Sequence, residues 1–221
     1  MKRPAPSKVP PSAHGHQAHH HHGGGPGWSV DRALEALESP ERRRILDPES
    51  LWREVGLLPG SVVADVGAGT GYFATPAAQR VGAKGAVYAI DVSSELVNYL
   101  SERGRREKLP WLHPVRSTVE KIPLPSGVAD VVLLATVLHD VPDPTVAEAV
   151  RLLRPGGCFV NLDWSKQETP WGPPLEIRLS PEEAASRLSA FGLKVVRTWD
   201  LGPHHYGQLL RRREEPSGSE C

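Results

Sequence analysis

Seven residues constrain this chain more than any others: Asp65-Val66-Gly67-Ala68-Gly69-Thr70-Gly71. They follow a continuous apolar run at 61–66, which reads as a strand buried on both faces, and precede a helical pattern at 72–81. Alternate glycines at such a junction let the chain turn sharply and let a ligand lie against bare peptide groups. Dinucleotide-binding loops use a near relative of this pattern, so its neighbours carry the discrimination. An acid, Asp65, stands at the strand's end. The third glycine comes two positions after Gly69, where the dinucleotide fingerprint wants three. Asp91 ends the next strand, twenty residues after Gly71, where a carboxylate takes both hydroxyls of a ribose. Asp65 also suits a cation better than an anion, since a pyrophosphate at about 4 Å meets like charge at a cost of about 1 kcal/mol even in water. The plain alternative is that the glycines only turn the chain and Asp91 caps the next helix.

The rest of the chain repeats the alternation of strand and helix. Two short helices open at Ser39-Pro40-Glu41 and Asp47-Pro48-Glu49, each with a capping oxygen, a proline at the first helical position and an acid in the first turn. Leu51, Trp52, Val55 and Leu58 then repeat at helical spacing and are expected in the core. Strands are expected at 85–90, 111–116, 129–135 and 157–163. Helices are expected at 72–81 (with Pro76 in its first turn), at 94–107 and at 144–153, the last capped by Asp143. Ser180-Pro181-Glu182-Glu183 is a capping box opening a final helix that ends near Gly192. Closing strands at 194–199 and 205–211 have no helix between them, so one must run antiparallel. The expectation is a mostly parallel, seven-stranded α/β sheet, doubly wound, with an antiparallel last strand.

At 221 residues one such domain is expected at 28–212, flanked by polar tails at 1–27 and 213–221. Lys plus Arg and Asp plus Glu both number 26, which argues against a nucleic-acid partner. No apolar run reaches the ~18 residues of a membrane helix, and Met1-Lys2-Arg3 leads into no apolar stretch, so the expectation is a cytoplasmic protein without membrane association. Cys158, expected to be buried inside the 157–163 strand, and Cys221 make no disulfide framework, and no metal site is expected in the domain. His14, His16 and His19 to His22 cluster in the N-terminal tail, where they would chelate nickel or zinc loosely or simply belong to a flexible segment.

The stretch 62–91 resembles the cofactor-binding motifs of class I S-adenosylmethionine-dependent methyltransferases, especially their ubiquinone-biosynthesis-like group. The likeness extends through Val115-Arg116-Ser117-Thr118-Val119-Glu120-Lys121-Ile122-Pro123, similar to the family's adenine-loop segment, through Ala129-Asp130-Val131-Val132 and Leu152-Leu153-Arg154-Pro155-Gly156-Gly157, and covers about 50–211. It implies a Rossmann-like fold and S-adenosyl-L-methionine as cofactor, a ligand with an ammonium, a sulfonium and no phosphate. By the same resemblance Asp65 and Gly67, with Ala68, Gly69, Gly71 and Tyr72 around them, hold the methionine end, Asp91 the ribose, and Val92, Thr118 and Val119 flank adenine. Many relatives carry Asp where Thr118 stands.

Ligands of open α/β sheets sit beyond the carboxyl ends of the strands. There the sequence places Leu138-His139-Asp140, Asp163-Trp164 and His204-His205-Tyr206. His139 is the candidate base, because an imidazole titrates near neutral pH, with Asp140 to orient it or to bind an amine. Asp163, Trp164, His205 and Tyr206 are candidates to line a small-molecule acceptor, and the proline-rich segment 164–179 reads as a lid or a plain connection. No Asn-Pro-Pro-aromatic tetrad follows the fourth strand, which argues against methylation of adenine or glutamine amino groups. Two readings from other classes stand beside this one. A nicotinamide-dependent oxidoreductase would share the glycine loop and Asp91, and a non-catalytic protein would act through its histidine tail.

Overall fold

Five of the seven α-helices among the described residues begin where a side-chain oxygen meets the first orphan N–H groups. The computed structural model describes residues 29–213; the histidine cluster and nearly all of both expected tails lie outside the described residues. Ser29, Ser39 and Asp47 cap α1 (Val30–Leu37), α2 (Pro40–Ile45) and α3 (Pro48–Glu54). The sequence suggested only the second and third of these. Beyond α3 come β1 (Val62–Val66), α4 (Ala74–Val81), β2 (Ala86–Asp91), α5 (Ser94–Arg106, capped by Ser93) and β3 (Leu112–Arg116). The second half holds β4 (Ala129–Ala135), α6 (Asp143–Leu152), β5 (Leu153–Trp164), α7 (Pro181–Ser189), β6 (Leu193–Leu201) and β7 (His205–Arg212). The capping box at α7 is formed in both directions.

Three local expectations are corrected. Asp143 does not cap α6; it is that helix's first residue, and its carboxylate takes the Arg187 guanidinium at 2.9 Å. Leu58 is 66% exposed because α3 ends at Glu54, after which helical spacing no longer applies, and Leu57 is buried instead. Cys158 is only half-buried, since residues 154–157 bulge out of β5 between the Leu153–Ala129 and Cys158–Val131 pairs.

The seven strands lie in the order β3-β2-β1-β4-β5-β7-β6. All neighbouring pairs from β3 to β5 are parallel, and β7 runs antiparallel to both β5 and β6. Period-2 alternation divides the core between the two faces of this sheet. On one, Trp52, Ala74 and Ala78 from α3 and α4 pack on Val63, Leu133 and Leu162; on the other, Val146 and Leu188 from α6 and α7 pack on Ala64, Leu134 and Phe159. Strand order reverses between β1 and β4, and a crevice therefore opens outside their carboxyl ends. Among the described residues no helix is long and apolar enough to cross a membrane.

Candidate active site

The glycine loop leaves β1 at that crevice. Gly67, Gly69 and Gly71 have φ of +78°, +56° and +83°, left-handed conformations that glycine adopts without a Cβ clash. Gly67 and Ala68 donate their N–H groups to the Ile90 carbonyl at 2.8 and 2.9 Å, which folds the loop back over β2. A Cβ on Gly67 would lie 2.6 Å from Val137 and meet that side chain on three atoms, whereas one on Gly69 would meet only the tip of Leu37 at 2.8 Å, so there the left-handed backbone rather than space favours glycine. Asp91 locks the loop from below: one carboxylate oxygen accepts from Gly69 N–H at 2.9 Å, the other from Ser93 N–H at 2.8 Å. Burial raises its pKa above the ordinary carboxylate range against those hydrogen bonds.

Asp65 is 2% exposed, and its Oδ2 has no hydrogen-bond partner among the described residues. Burial, reinforced by the nearby charge of Asp91 and opposed by the Ala74 N–H and by Arg42, pushes its carboxyl up to about 7. Arg42, from α2, spreads over the Tyr72 ring at 4.7 Å and donates to the Leu37 carbonyl at 3.0 Å and to Thr136 Oγ1 at 3.4 Å. Burial lowers it to about 10, so it remains a cation at neutral pH. No described carboxylate forms an ion pair with it. An orphaned, desolvated acid fits an ammonium and rejects a pyrophosphate, and this disfavours the dinucleotide alternative on structural grounds.

Other expected cofactor contacts divide. Val92 is half-buried beside Asp91. Tyr72 is 3% exposed and spends its hydroxyl on the Leu46 carbonyl at 2.7 Å, which makes it part of the core beneath Arg42. Thr118 is exposed, and its Oγ1 accepts the N–H groups of Glu120 and Lys121 in a local turn; Val119 is 45% exposed. The buried hydroxyl next to β2 belongs instead to Ser117, whose N–H donates to the Asp91 carbonyl at 3.0 Å.

The pairing expected for His139 is corrected. Asp140 is exposed, whereas Asp163, distant in sequence, accepts from His139 Nδ1 at 2.7 Å and from its backbone N–H at 3.2 Å. Both side chains are 0% exposed. Asp163 is thereby also removed from the acceptor-lining set. Alternation along β5 and β7 explains the split: Asp163 pairs with Tyr206 on one face, and Trp164 with His205 on the other. Tyr206 is 1% exposed in the α6–α7 core, where burial raises its hydroxyl above the usual range.

Trp164 and His205 do line a cavity of about 300 Å³, together with Leu37, Arg42, Ile45, Thr136, Trp171 and Gly172. The His205 ring packs on Trp164 at 4.1 Å between centroids and is 4% exposed. Neither of its nitrogens is hydrogen-bonded among the described residues. Burial, with the charges of Arg42, His204 and Arg178, drives its pKa down to about 3, so the imidazole is neutral. Thr136, directly after β4, has φ +56°, an outlier for a β-branched residue that costs roughly 1–3 kcal/mol. Its N–H donates to the Leu162 carbonyl at 2.6 Å, and its hydroxyl holds Arg42. Segment 164–179 is neither extended nor plain. It wraps Arg178, which is 3% exposed and donates to the carbonyls of Pro173 and Gln167 at 2.8 and 2.7 Å and to Thr169 Oγ1 at 2.7 Å.

The comparisons with known proteins agree with this geometry. The family described as a methyltransferase domain matches residues 64–161. Ubiquinone/menaquinone biosynthesis C-methyltransferases UbiE are similar in sequence: that of Laribacter hongkongensis is 34% identical over 121 residues, 53% of this chain and 49% of the relative. That of Vibrio vulnificus is 31% identical over 114 residues, 50% of this chain and 44% of the relative. The chain thus spans less than half the length of these relatives. A solved S-adenosylmethionine-dependent methyltransferase from Aquifex aeolicus superposes with a TM-score of 0.77 at 33% identity, over 83% of this chain and 98% of that one. Such identity over nearly the whole of a solved relative, with the domain match across the glycine loop, shows that the chain belongs to the class I S-adenosylmethionine-dependent methyltransferases and has S-adenosylmethionine as its cofactor.

Proposed function

We propose that this methyltransferase acts on a small molecule held in the cavity between α1, α2 and the loop around Arg178, with the cofactor's amino-acid end between Asp65 and Arg42. One observation carries the reading: a desolvated carboxyl, raised to about 7, and a desolvated guanidinium stand near each other, and among the described residues neither has a charged protein partner at hydrogen-bond distance. A zwitterion satisfies both, its ammonium at Asp65 and its carboxylate at Arg42. Asp91 would hold the ribose, Gly67, Ala68, Gly69 and Gly71 would lie under the ligand, and Val92 and Ser117 would border adenine. Bound there, S-adenosylmethionine supplies a methyl group already activated on a sulfonium.

The chain's own contribution is then alignment, an effect worth roughly 7–11 kcal/mol when the reacting atoms are well placed. Thr136 and His205 face the same cavity and orient the acceptor. His139, sealed against Asp163, acts as a positioning residue: with its backbone N–H also on Asp163 it fixes the turn that carries Thr136 and Val137. The methyltransferase unit is the whole segment 28–212.

Calorimetric titration with S-adenosylhomocysteine, NAD and 5′-methylthioadenosine, which lacks the amino-acid end, tests the reading. We expect S-adenosylhomocysteine but not NAD to bind, and Asp91→Ala to abolish binding. Arg42→Met should weaken S-adenosylhomocysteine by about tenfold, or about 1.4 kcal/mol, and leave methylthioadenosine unchanged. Equal losses for both ligands would remove Arg42 from the carboxylate role.

A further inference from the structure

We propose that Thr145, Glu148 and Arg151, three residues of α6 behind the loop that follows β3, are positioning residues for the cofactor: they clamp that loop so that it tells adenine from a base with the opposite hydrogen-bonding edge. The inference rests on reading Val92 and Ser117 as the border of the adenine site, and it adds what holds that border in register.

The loop itself creates the need for a clamp. Residues 117–127 form neither helix nor strand. Thr118 is spent on its own turn: its hydroxyl accepts from Glu120 and Lys121, and its N–H donates to the Lys121 carbonyl at 3.1 Å. Val119 is apolar and exposed. Reading of the base is therefore left to Ser117 and to the backbone groups around it. Such groups discriminate only from a fixed position. Adenine offers a donor beside an acceptor on its amino edge, whereas hypoxanthine offers an acceptor beside a donor. A displacement of about 1 Å takes a hydrogen bond out of range and loses the distinction.

The clamp is built at helical spacing. Thr145, Glu148 and Arg151 follow one another three residues apart along one side of α6 and engage the loop in the same order. Thr145 Oγ1 donates to the Val119 carbonyl at 2.5 Å, and Glu148 Oε2 accepts the Ile122 N–H at 2.8 Å. Arg151 Nη2 donates to the Ile122 carbonyl at 2.9 Å, and Nη1 to the Leu124 carbonyl at 2.8 Å and Ser126 Oγ at 3.2 Å. Its other bonds go to Glu148, from Nε to Oε1 at 2.6 Å and from Nη2 to Oε2 at 2.8 Å. All five N–H groups of the guanidinium are thus used, and the two-point pair with Glu148 fixes the plane of the fork. The Arg151 hydrogen bonds also hold the Glu148 carboxyl below the usual carboxylate range, so the pair is charged at neutral pH.

Both ends of the loop are tied as well. Ser117 N–H donates to the Asp91 carbonyl at 3.0 Å, and Gly127 N–H to the Arg151 carbonyl at 2.9 Å. Ile122 is 2% exposed in the core beneath α6, so the middle of the loop is held by side chain and backbone together. Helix α6 thereby sets where the base can lie relative to Asp91. Arg212 supplies a contrast: its Nη2 donates to the carbonyls of Val150 and Leu153 at 2.6 and 3.0 Å, which secures the end of the same helix without touching the loop.

The test titrates the full chain with S-adenosylhomocysteine and S-inosylhomocysteine, which differ only at the amino edge of the base. We expect the unaltered chain to prefer the adenosyl ligand by about a hundredfold, since two hydrogen bonds would otherwise become like-facing pairs. Glu148→Ala should narrow that preference to about tenfold or less. Glu148→Gln, whose amide oxygen can still accept from Ile122, should restore most of it. Thr145→Val, close in volume, should narrow it too, and it carries the test where the Glu148→Ala chain does not fold. Arg212→Met should lower the melting temperature and leave the preference unchanged, because it weakens the helix but not the clamp. Equal losses for both ligands in the clamp variants, no preference in the unaltered chain, or a narrowed preference in Arg212→Met would each overturn the proposal. If S-adenosylhomocysteine does not bind, or Asp91→Ala binds it as well as the unaltered chain, the cofactor placement itself falls, and the proposal with it.

Discussion

Asp65 shows how one residue's environment becomes a measurable property. Its carboxyl is raised by burial from 3.8 to about 7, so the folded chain keeps a proton that the unfolded chain has lost between those values. Its contribution to stability is therefore fully present below pH 3.8 and is lost as pH rises through about 7. An ammonium placed against this acid restores the ordinary carboxylate range, so cofactor binding should expel a proton below pH 7. Calorimetry of S-adenosylhomocysteine binding at pH 6, in buffers of different ionisation enthalpy, should show release approaching one proton, and Asp65→Asn should abolish it. Release that persists in the variant would locate the titrating group elsewhere. Asp65 and Asp91 were legible in sequence because each ends an apolar strand. Arg42 was not, since it sits among Arg43 and Arg44 on a short helix, where a basic run reads as a solvated face. Arg178 gave no local signal, because all its partners are loop atoms whose positions only the folded chain defines.

Among the elements, what depended on near neighbours was readable. The Ser39, Asp47 and Ser180 caps, the strand cores and the reversed strand all follow from spacings of a few residues. What depended on distant partners was not, as with His139 meeting Asp163 rather than its neighbour Asp140, or β5 carrying a four-residue bulge. Helix α1 belongs to this second kind. Its weight rests on Ala33 against Leu96, on Leu37 above Gly69, and on Glu38 at its end, which pairs with both Arg43 and Arg103. Arg103 in turn donates to the Thr70 carbonyl at 3.0 Å, inside the glycine loop. Glu38→Ala should loosen α1 by about 1 kcal/mol, a value suited to a partly exposed pair, and speed S-adenosylhomocysteine release about fivefold. Stopped-flow displacement would check this, and an unchanged release rate would show that α1 does not restrain the ligand.

The whole molecule is one sheet with a core on each face, and β1 and β4 supply both cores at once: Val63 and Leu133 on one side, Ala64 and Leu134 on the other. Neither core can dissolve without removing the support of its counterpart. Tryptophan fluorescence, which reports chiefly the face holding Trp52, and far-ultraviolet circular dichroism should therefore give coincident denaturant transitions. Separated midpoints would mean that the two faces unfold independently. The geometry of α1 also bears on the order of events in turnover. Residues 35–37 of that helix border the cavity while Leu37 covers Gly69 of the loop, so a single helix closes both compartments. Two ligands behind one door cannot exchange independently: whichever lies deeper must arrive first and leave last, and steady-state kinetics should carry the signature of a compulsory sequence rather than a random one.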